Sequence, residues 1–255
     1  MTDQQGGPVG PADPAEGFGD VPADARRVTV GFDRMERWLD GVVARHGPQQ
    51  WTATPTLLRA RAQDGTRLWI DVPFPPLPTP TALTSAHEPA VASTSADAHA
   101  VDPTPADPVA AFLTHLATPR RIGLLLVRRG GYGVGVFQGA ELVASKVGSS
   151  YVQGTTKAGG WSQQRFARRR DNQARSAFAT AADEVARVVL PEAARLDALV
   201  CGGDRAAVDT VLDDPRLLVL RAKRSGPWLA VPDPRRAVVL QAPKQFLAVT
   251  IRIHP

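Results

Sequence analysis

Cysteine is all but missing from this chain of 255 residues. The lone Cys201 excludes an intramolecular disulfide framework and any zinc site built from several cysteines, and it is expected to pack as a small apolar residue. Aromatic residues are scarce too, at 6%, so Ala, Val and Leu supply most of a 43% hydrophobic fraction that is still enough for a sizeable core. No apolar run approaches the length of a membrane span, and the N-terminus lacks the charged-then-apolar pattern of a secretion signal, so a cytoplasmic protein is expected. Lys and Arg are absent from residues 1–25, which carry Asp3, Asp13, Glu16, Asp20 and Asp24 among scattered Gly and Pro. Such a segment buries too little surface to order itself and reads as a disordered acidic tail. Setting its −5 aside from the net +5 leaves +10 on the rest, which permits an anionic partner.

Basic residues are missing once more from Pro73 to Ala110, a Pro-, Ala-, Ser- and Thr-rich run too long for an ordinary loop and expected to be partly mobile. His87, His99 and His115 fit no common ligand spacing, so neither a metal nor another cofactor is expected. Between these two segments, residues 26–72 read as a strand–helix–hairpin element. Val28-Thr29-Val30 suits a strand, and Phe32 to His46 an amphipathic helix through Met35, Trp38, Leu39 and Val42, stopped by Gly47-Pro48. Thr56 to Ala62 and Thr66 to Val72 read as strands joined at Gln63-Asp64-Gly65.

Residues 111–255 are better patterned. Arg121 to Val127 reads as a buried strand, Gly130-Gly131 as a turn into Tyr132 to Phe137, and Gln138-Gly139 as a turn into Glu141 to Val147. A long helix and then a strand from Leu196 to Val200 follow. Three sequential antiparallel strands, a helix and a fourth strand suggest a mixed α/β, ribonuclease-H-like arrangement. Cys201-Gly202-Gly203-Asp204 reads as a tight turn with Asp204 capping a helix near Arg205 to Leu212, although a Gly-Gly pair at a helix start can also cradle a phosphate. Leu217 to Leu220 and Leu247 to Ile253 read as strands, and Arg235 to Phe246 as partly helical around Pro243.

The remainder is organised around Gly154 to Gln173. Gly159 and Gly160 let a substrate approach the main chain closely. Ser162 suits a helix N-cap, and no Pro or Gly follows before Leu190, so a helix of about 28 residues, roughly 42 Å long, is expected. At 100° steps Phe166, Ala174, Ala177, Phe178, Ala181, Val185 and Val188 share an apolar arc. Arg165, Arg168, Asn172 and Arg175 lie opposite, with Arg169 at the edge. Arg170 falls on the apolar arc and must snorkel or pair. A glycine loop thus leads into a guanidinium stripe.

This run resembles the signature of the actinobacterial Vms-like release factors, peptidyl-tRNA hydrolases related to the catalytic domain of eukaryotic and archaeal termination factors. In the eukaryotic Vms-type members a Gly-Gly-Ser-Gln loop precedes an Arg-Arg-Tyr-Asn-Glu segment. Gly159-Gly160-Trp161-Ser162-Gln163 resembles the first with one residue inserted, and Arg169-Arg170-Asp171-Asn172-Gln173 resembles the second. The insertion leaves Gln163 and Gln164 both eligible as the catalytic glutamine, and Thr155 stands where a basic residue is expected. The resemblance covers roughly residues 120 to 255. It implies the termination-factor middle-domain topology, with the large ribosomal subunit and peptidyl-tRNA as partners.

The chemistry of the residues accords with that implication. The loop holds no Ser-His-Asp set, carboxylate pair or metal cluster. A glutamine amide does not titrate near neutrality, but it orients water by donating and accepting hydrogen bonds. Backbone N–H groups at Gly159 and Gly160 suit a developing oxyanion. Lys157, Arg165, Arg168, Arg169 and Arg175 suit phosphates, and Trp161 suits stacking on an unpaired base. Two other readings stand beside release of the nascent chain. One is a tRNA endonuclease cutting near the 3′ CCA, an activity associated with Vms-type relatives; the other is a non-catalytic RNA or ribosome binder.

Overall fold

The computed structural model describes residues 20–78, 107–128, 131–149 and 176–255. In chain order the elements are β1 (Arg26–Gly31), α1 (Met35–His46), β2 (Gln49–Ala53), β3 (Leu57–Ala62), β4 (Arg67–Asp71) and α2 (Pro108–Ala117). Then come β5 (Arg121–Arg128), β6 (Gly131–Gln138), β7 (Glu141–Ser149), α3 (residues 176–188) and β8 (Ala198–Gly203). The chain closes with α4 (Arg205–Leu212), α5 (Leu218–Arg221), α6 (Arg236–Gln241), α7 (Pro243–Phe246) and β9 (Ala248–His254). The architecture is mixed α/β with two sheets in two units, Met1–His115 with Val249–Pro255, and Leu116–Ala248.

In the first unit the sheet order is β1-β9-β4-β3-β2, so the last strand of the chain sits between two of the earliest. The β3–β4 hairpin forms at the expected Asp64-Gly65: Gly65 takes φ +92°, and the Asp64 carboxylate accepts the Thr66 N–H at 2.9 Å. The pattern along β3 alternates, with Leu58, Ala60 and Ala62 buried and Arg59 and Arg61 more open, as a strand with one core face requires. Met35, Leu39 and Val42 supply the buried stripe of α1, which ends at Gly47 with φ +77°. β2 has no counterpart in the sequence expectations. Its Gln49-Gln50-Trp51-Thr52-Ala53 holds no buried residue and pairs with β3 at the sheet edge. Helix α2 was not expected either. Asp107 starts it by accepting the Val109 N–H at 2.9 Å, with Pro108 at the first helical position.

In the second unit β7-β6-β5-β8 form a sheet with β5 parallel to β8 and the remaining pairs antiparallel. Residues 223–231 run beside β8 as an irregular fifth rung: Ser225 N–H donates to Leu199 O, and Leu229 N–H to Cys201 O. In chain order this is a 3-2-1-4 sheet with a fifth rung outside, in keeping with the expected ribonuclease-H-like arrangement. Every residue from Ile122 to Val127 is buried, because helices cover both faces. On one face Ala181 and Val185 of α3, together with Val189 just beyond it, join Leu125, Val134, Val136, Cys201 and Val208 in one cluster. On the other, Phe137 meets Phe246 of α7 edge to face, with centroids 5.4 Å apart. Cys201 packs in this core as expected, and burial pushes its thiol up to about 12.

The strand expected from Leu217 to Leu220 is instead a 3-10 turn, Pro215–Leu217, running into α5. Asp214 accepts the Arg216 N–H at 2.9 Å, and Pro215 is set for a helical start. The buried pair Leu217 and Leu220 lies three apart, while Leu218 and Val219 are about half exposed. That is a helical spacing, not an alternating one.

Candidate functional site

Strand directions define one working edge of the second sheet. β5 and β7 both run antiparallel to β6, and β8 runs parallel to β5, so these three strands finish at the same edge. Arg128 is paired with Gly131, Gly131 with Ser149, and Val127 with Gly203. Helix α3 runs the other way. A Cβ on Gly123, near the start of β5, would come within 2.9 Å of Val189, so the end of the helix lies near the start of the strand. Ser149 and residue 176, which bracket the glycine loop and the basic run, therefore both lie toward the edge where β5, β7 and β8 finish.

Close backbone approaches shape this edge. Gly203 adopts φ +92°, and a Cβ there would meet Val127 O at 2.2 Å, so the turn after β8 admits only glycine without rearrangement. On β7, a Cβ at Gly148 would fall 2.4 Å from the Tyr132 hydroxyl oxygen, which shows that the Tyr132 ring lies directly over that glycine. Tyr132 is 7% exposed, and burial, helped by the nearby Glu184 carboxylate, raises its pKa and keeps the phenol neutral.

The Gly202-Gly203-Asp204 turn settles one open reading. Asp204 Oδ1 accepts the Ala206 N–H at 3.0 Å and the Ala207 N–H at 3.3 Å. A carboxylate already occupies the donors that a phosphate would need, and its charge repels one. This is a capped turn.

Cations gather beside it. The Arg205 guanidinium carbon stands 4.3 Å from the Trp228 ring centroid and that of Arg224 stands 5.2 Å away. Trp228 Nε1–H donates to Gly203 O at 3.3 Å, which anchors the ring to the turn. Each such cation–π contact is worth about 0.5–1 kcal/mol at exposed sites. Arg224 is paired with Asp209 at 2.5 Å, whereas Arg205 makes no ion pair among the described residues. Arg128 donates from Nη1 to Val231 O at 2.8 Å and lies 3.7 Å from Asp233.

Gln163, Gln164, Gly159, Gly160, Lys157, Trp161, Arg165, Arg168, Arg169 and Arg175 lie outside the described residues, as does the first part of the expected long helix. From residue 176 onward the expected arc is visible: Ala181 and Val185 are buried and Phe178 and Val188 partly so. Tyr132, Trp228 and Arg205 were given no role from the sequence. Trp228, just after Gly226-Pro227, sits in no periodic pattern, and only the pairing of residues 223–231 with β8 brings it to the edge. Of the three histidines, His115 is buried and its Nε2–H donates to Pro73 O at 2.8 Å, while His87 and His99 lie outside the described residues. Among the described residues no group of three or more His, Cys, Asp or Glu is placed to hold a metal ion, and no helix is long and apolar enough to cross a membrane.

Comparison with known proteins adds to this geometry. Two solved structures are similar over part of the chain. One, described as an archaeal protein, is 17% identical with a TM-score of 0.34, over 48% of this chain and 32% of that one. The other, the archaeal translation termination factor aRF1, is also 17% identical with a TM-score of 0.33, over 49% of this chain and 34% of that one. The matched region thus spans about a third of either structure. No curated protein matches the chain. The family model described as the Actinobacteria/chloroflexi VLRF1 release factor matches residues 120–252, just over half of the chain and the whole of the glycine loop and basic run. The chain belongs to the Actinobacteria/chloroflexi VLRF1 release factor family.

Proposed function

We propose that this release-factor family member is a ribosome-associated peptidyl-tRNA hydrolase that frees nascent chains from stalled large subunits in the cytoplasm, without a cofactor. The observation that carries the reading is the family match across residues 120–252, which includes the Gly159-Gly160-Trp161-Ser162-Gln163-Gln164 loop. The bracketing of that loop at one sheet edge supports it further, because a loop held at both ends is a good carrier for groups that must be positioned. The activity is assigned to the second unit, Leu116–Ala248, within the expected segment of residues 111–255, whose β9 completes the first sheet with residues 26–72; residues 1–25 are an acidic tail and residues 73–110 a linker.

In this mechanism Gln163 or Gln164 orients a water against the ester carbonyl of peptidyl-tRNA. The N–H groups at Gly159 and Gly160 face the oxygen that becomes negative as the tetrahedral centre forms. The amide moves no proton of its own, so the ribose hydroxyl next to the ester carries the proton to the departing oxygen. Holding the reactants in place is worth about 7–11 kcal/mol of barrier in well-oriented systems, enough to matter for an activated ester. Lys157, Arg165, Arg168, Arg169 and Arg175 grip phosphates of the acceptor end or of ribosomal RNA, and Trp161 stacks on an unpaired 3′ base.

The test is a release assay on nascent-chain–large-subunit complexes that resolves peptide and tRNA ends together. Free peptide with full-length tRNA is expected. Gln163→Ala or Gln164→Ala, whichever removes the water-orienting amide, should slow the single-turnover rate about 100-fold or more. Peptide still attached to a short 3′ tRNA fragment, beside a shortened tRNA, would instead identify an endonuclease. Binding without product, unchanged in both variants, would leave a non-catalytic ribosome binder.

A further inference from the structure

We propose that the arginine-bearing face of the first sheet, on the side away from α1, is a separate docking surface for the phosphates of single-stranded RNA. It lies on β1, β3, β4 and β9. The family match begins only at residue 120, so the first three of these strands stand outside the matched segment.

Strand alternation fixes which residues share the face. Leu68 and Ile253 line a cleft with Trp38 and Val42 of α1, so Arg67, Trp69 and Asp71 of β4 and Arg252 and His254 of β9 project from the other side. The register sets Arg59, Trp69 and Arg252 in one row across the sheet, and Arg61, Arg67 and His254 in the next. On β1, Arg26 and Val28 line the same cleft, which turns Arg27 to the opposite face. Five arginines therefore share it.

The carboxylates facing them are few. Asp71 is taken by Arg252, and Asp24 stands 3.6 Å from His254 Nε2. Arg27, Arg59, Arg61 and Arg67 make no ion pair among the described residues. Arg61 lies directly opposite Arg67, a like-charge arrangement that weakens a sheet unless an anion sits over it. Arg67 instead donates to His254 Nδ1 at 3.2 Å, and its guanidinium carbon is 5.5 Å from the centroid of the Trp69 ring.

Arg59 Nε, Trp69 Nε1 and Arg252 Nε are all buried without a hydrogen-bond acceptor among the described residues, and all three belong to one cross-strand row. Trp69 itself is 1% exposed. These atoms lie out of reach of an external ligand, so phosphates meet the face through Arg59 and Arg67, which are partly exposed, and through the exposed Arg61. Guanidinium forks suit phosphate oxygens, and the cations of this face are arginines, not lysines. Arg59 and Arg61 are about 6.6–6.8 Å apart along β3, a repeat that successive phosphates of an extended RNA strand can follow. Membership in a release-factor family favours RNA over an acidic polypeptide as the occupant.

The experiment is fluorescence anisotropy of the full chain with fluorescein-labelled oligouridylate across a salt series. The variants are Arg61→Gln, Arg59→Gln with Arg61→Gln, and Arg165→Gln with Arg168→Gln on the separate basic run. The slope of log affinity against log salt is expected to fall by about 0.7 for Arg61→Gln and about 1.4 for the sheet-face pair. These losses should persist when the basic run is already altered. Arg61 is exposed, so its variant should melt at or slightly above the wild-type temperature and keeps the test valid even if the pair fails to fold. Unchanged slope and affinity in Arg61→Gln would overturn the proposal. So would poly-glutamate that displaces the RNA and loses affinity to the same extent in the variants, because the face would then be a site for acidic protein. Peptide release is read separately, so failure of the hydrolase reading would leave this measurement standing.

Discussion

The two sheets of this protein solve the burial problem in opposite ways. In the second unit β5 is buried on both faces, so Leu124 and Leu125, which point in opposite directions, are equally inaccessible at 0%. In the first unit β3 keeps Leu58 and Ala60 at 0% on one face and turns Arg59 and Arg61 to the other. A strand buried on both sides is left to carry the fold, whereas a strand with one open face is free to display charge. The comparison therefore separates the part of the molecule where nearly every position is structural from the part where alternate positions can do something else.

Paired substitutions break or sharpen this contrast. Leu124→Ala and Leu125→Ala should each cost about 2–5 kcal/mol by chemical denaturation, since each leaves a cavity on its own side of β5. Along β3 only alternate positions should respond: Leu58→Ala should fall in that range, while Arg61→Ala stays within about 0.5 kcal/mol. Equal sensitivity at Leu58 and Arg61 would show that the charged face of β3 is as structural as its apolar one. A smaller loss is expected at the turn after β8, where Asp204→Ala removes a cap worth about 1 kcal/mol without touching either core.

The smallest effect belongs to the exposed hairpin of the first sheet. His46, whose Nδ1 stands 2.7 Å from the carboxylate, and the Thr66 N–H hold Asp64 down to about 2 from 3.8. The folded pKa lies below the unfolded one, so this contribution is present above 3.8 and is lost as the pH falls toward 2. Melting temperatures recorded through that window should decline less steeply for Asp64→Asn than for wild type. Identical acid limbs would mean that the hairpin carboxylate plays no part.

The same contrast explains what was legible in the sequence. The strands of the second sheet stand out because continuous apolar runs such as Ile122 to Val127 are separated by Gly-bearing turns, and the Asp64-Gly65 hairpin stands out through its turn residues. β2 is opaque because an edge strand with no buried residue needs no apolar pattern, and Gln49-Gln50 resembles a loop. The segment after Asp214-Pro215 reads as a strand if its run of Leu and Val is weighed by composition, yet the cap and the three-residue spacing of its buried pair carry the real information. At the candidate site the glycine loop and guanidinium run could be found because they are contiguous in sequence. The edge that brackets them could not, since Tyr132, Gly148, Gly203 and Trp228 meet only through strand pairing.

The position of β9 has a consequence for how the molecule is made. It lies between β1 and β4, and Arg67 and His254, which touch across that seam, are separated by 187 positions in the chain. During synthesis the ordering of β2, β3 and β4 can begin early, but their sheet has an open seam until residues 248–254 emerge. The second unit, whose strand contacts are all internal to Leu116–Ala248, is under no such constraint and can close first. Until residues 248–254 are in place, the arginine face lacks Arg252, and the facing edges of β1 and β4 are left unpaired.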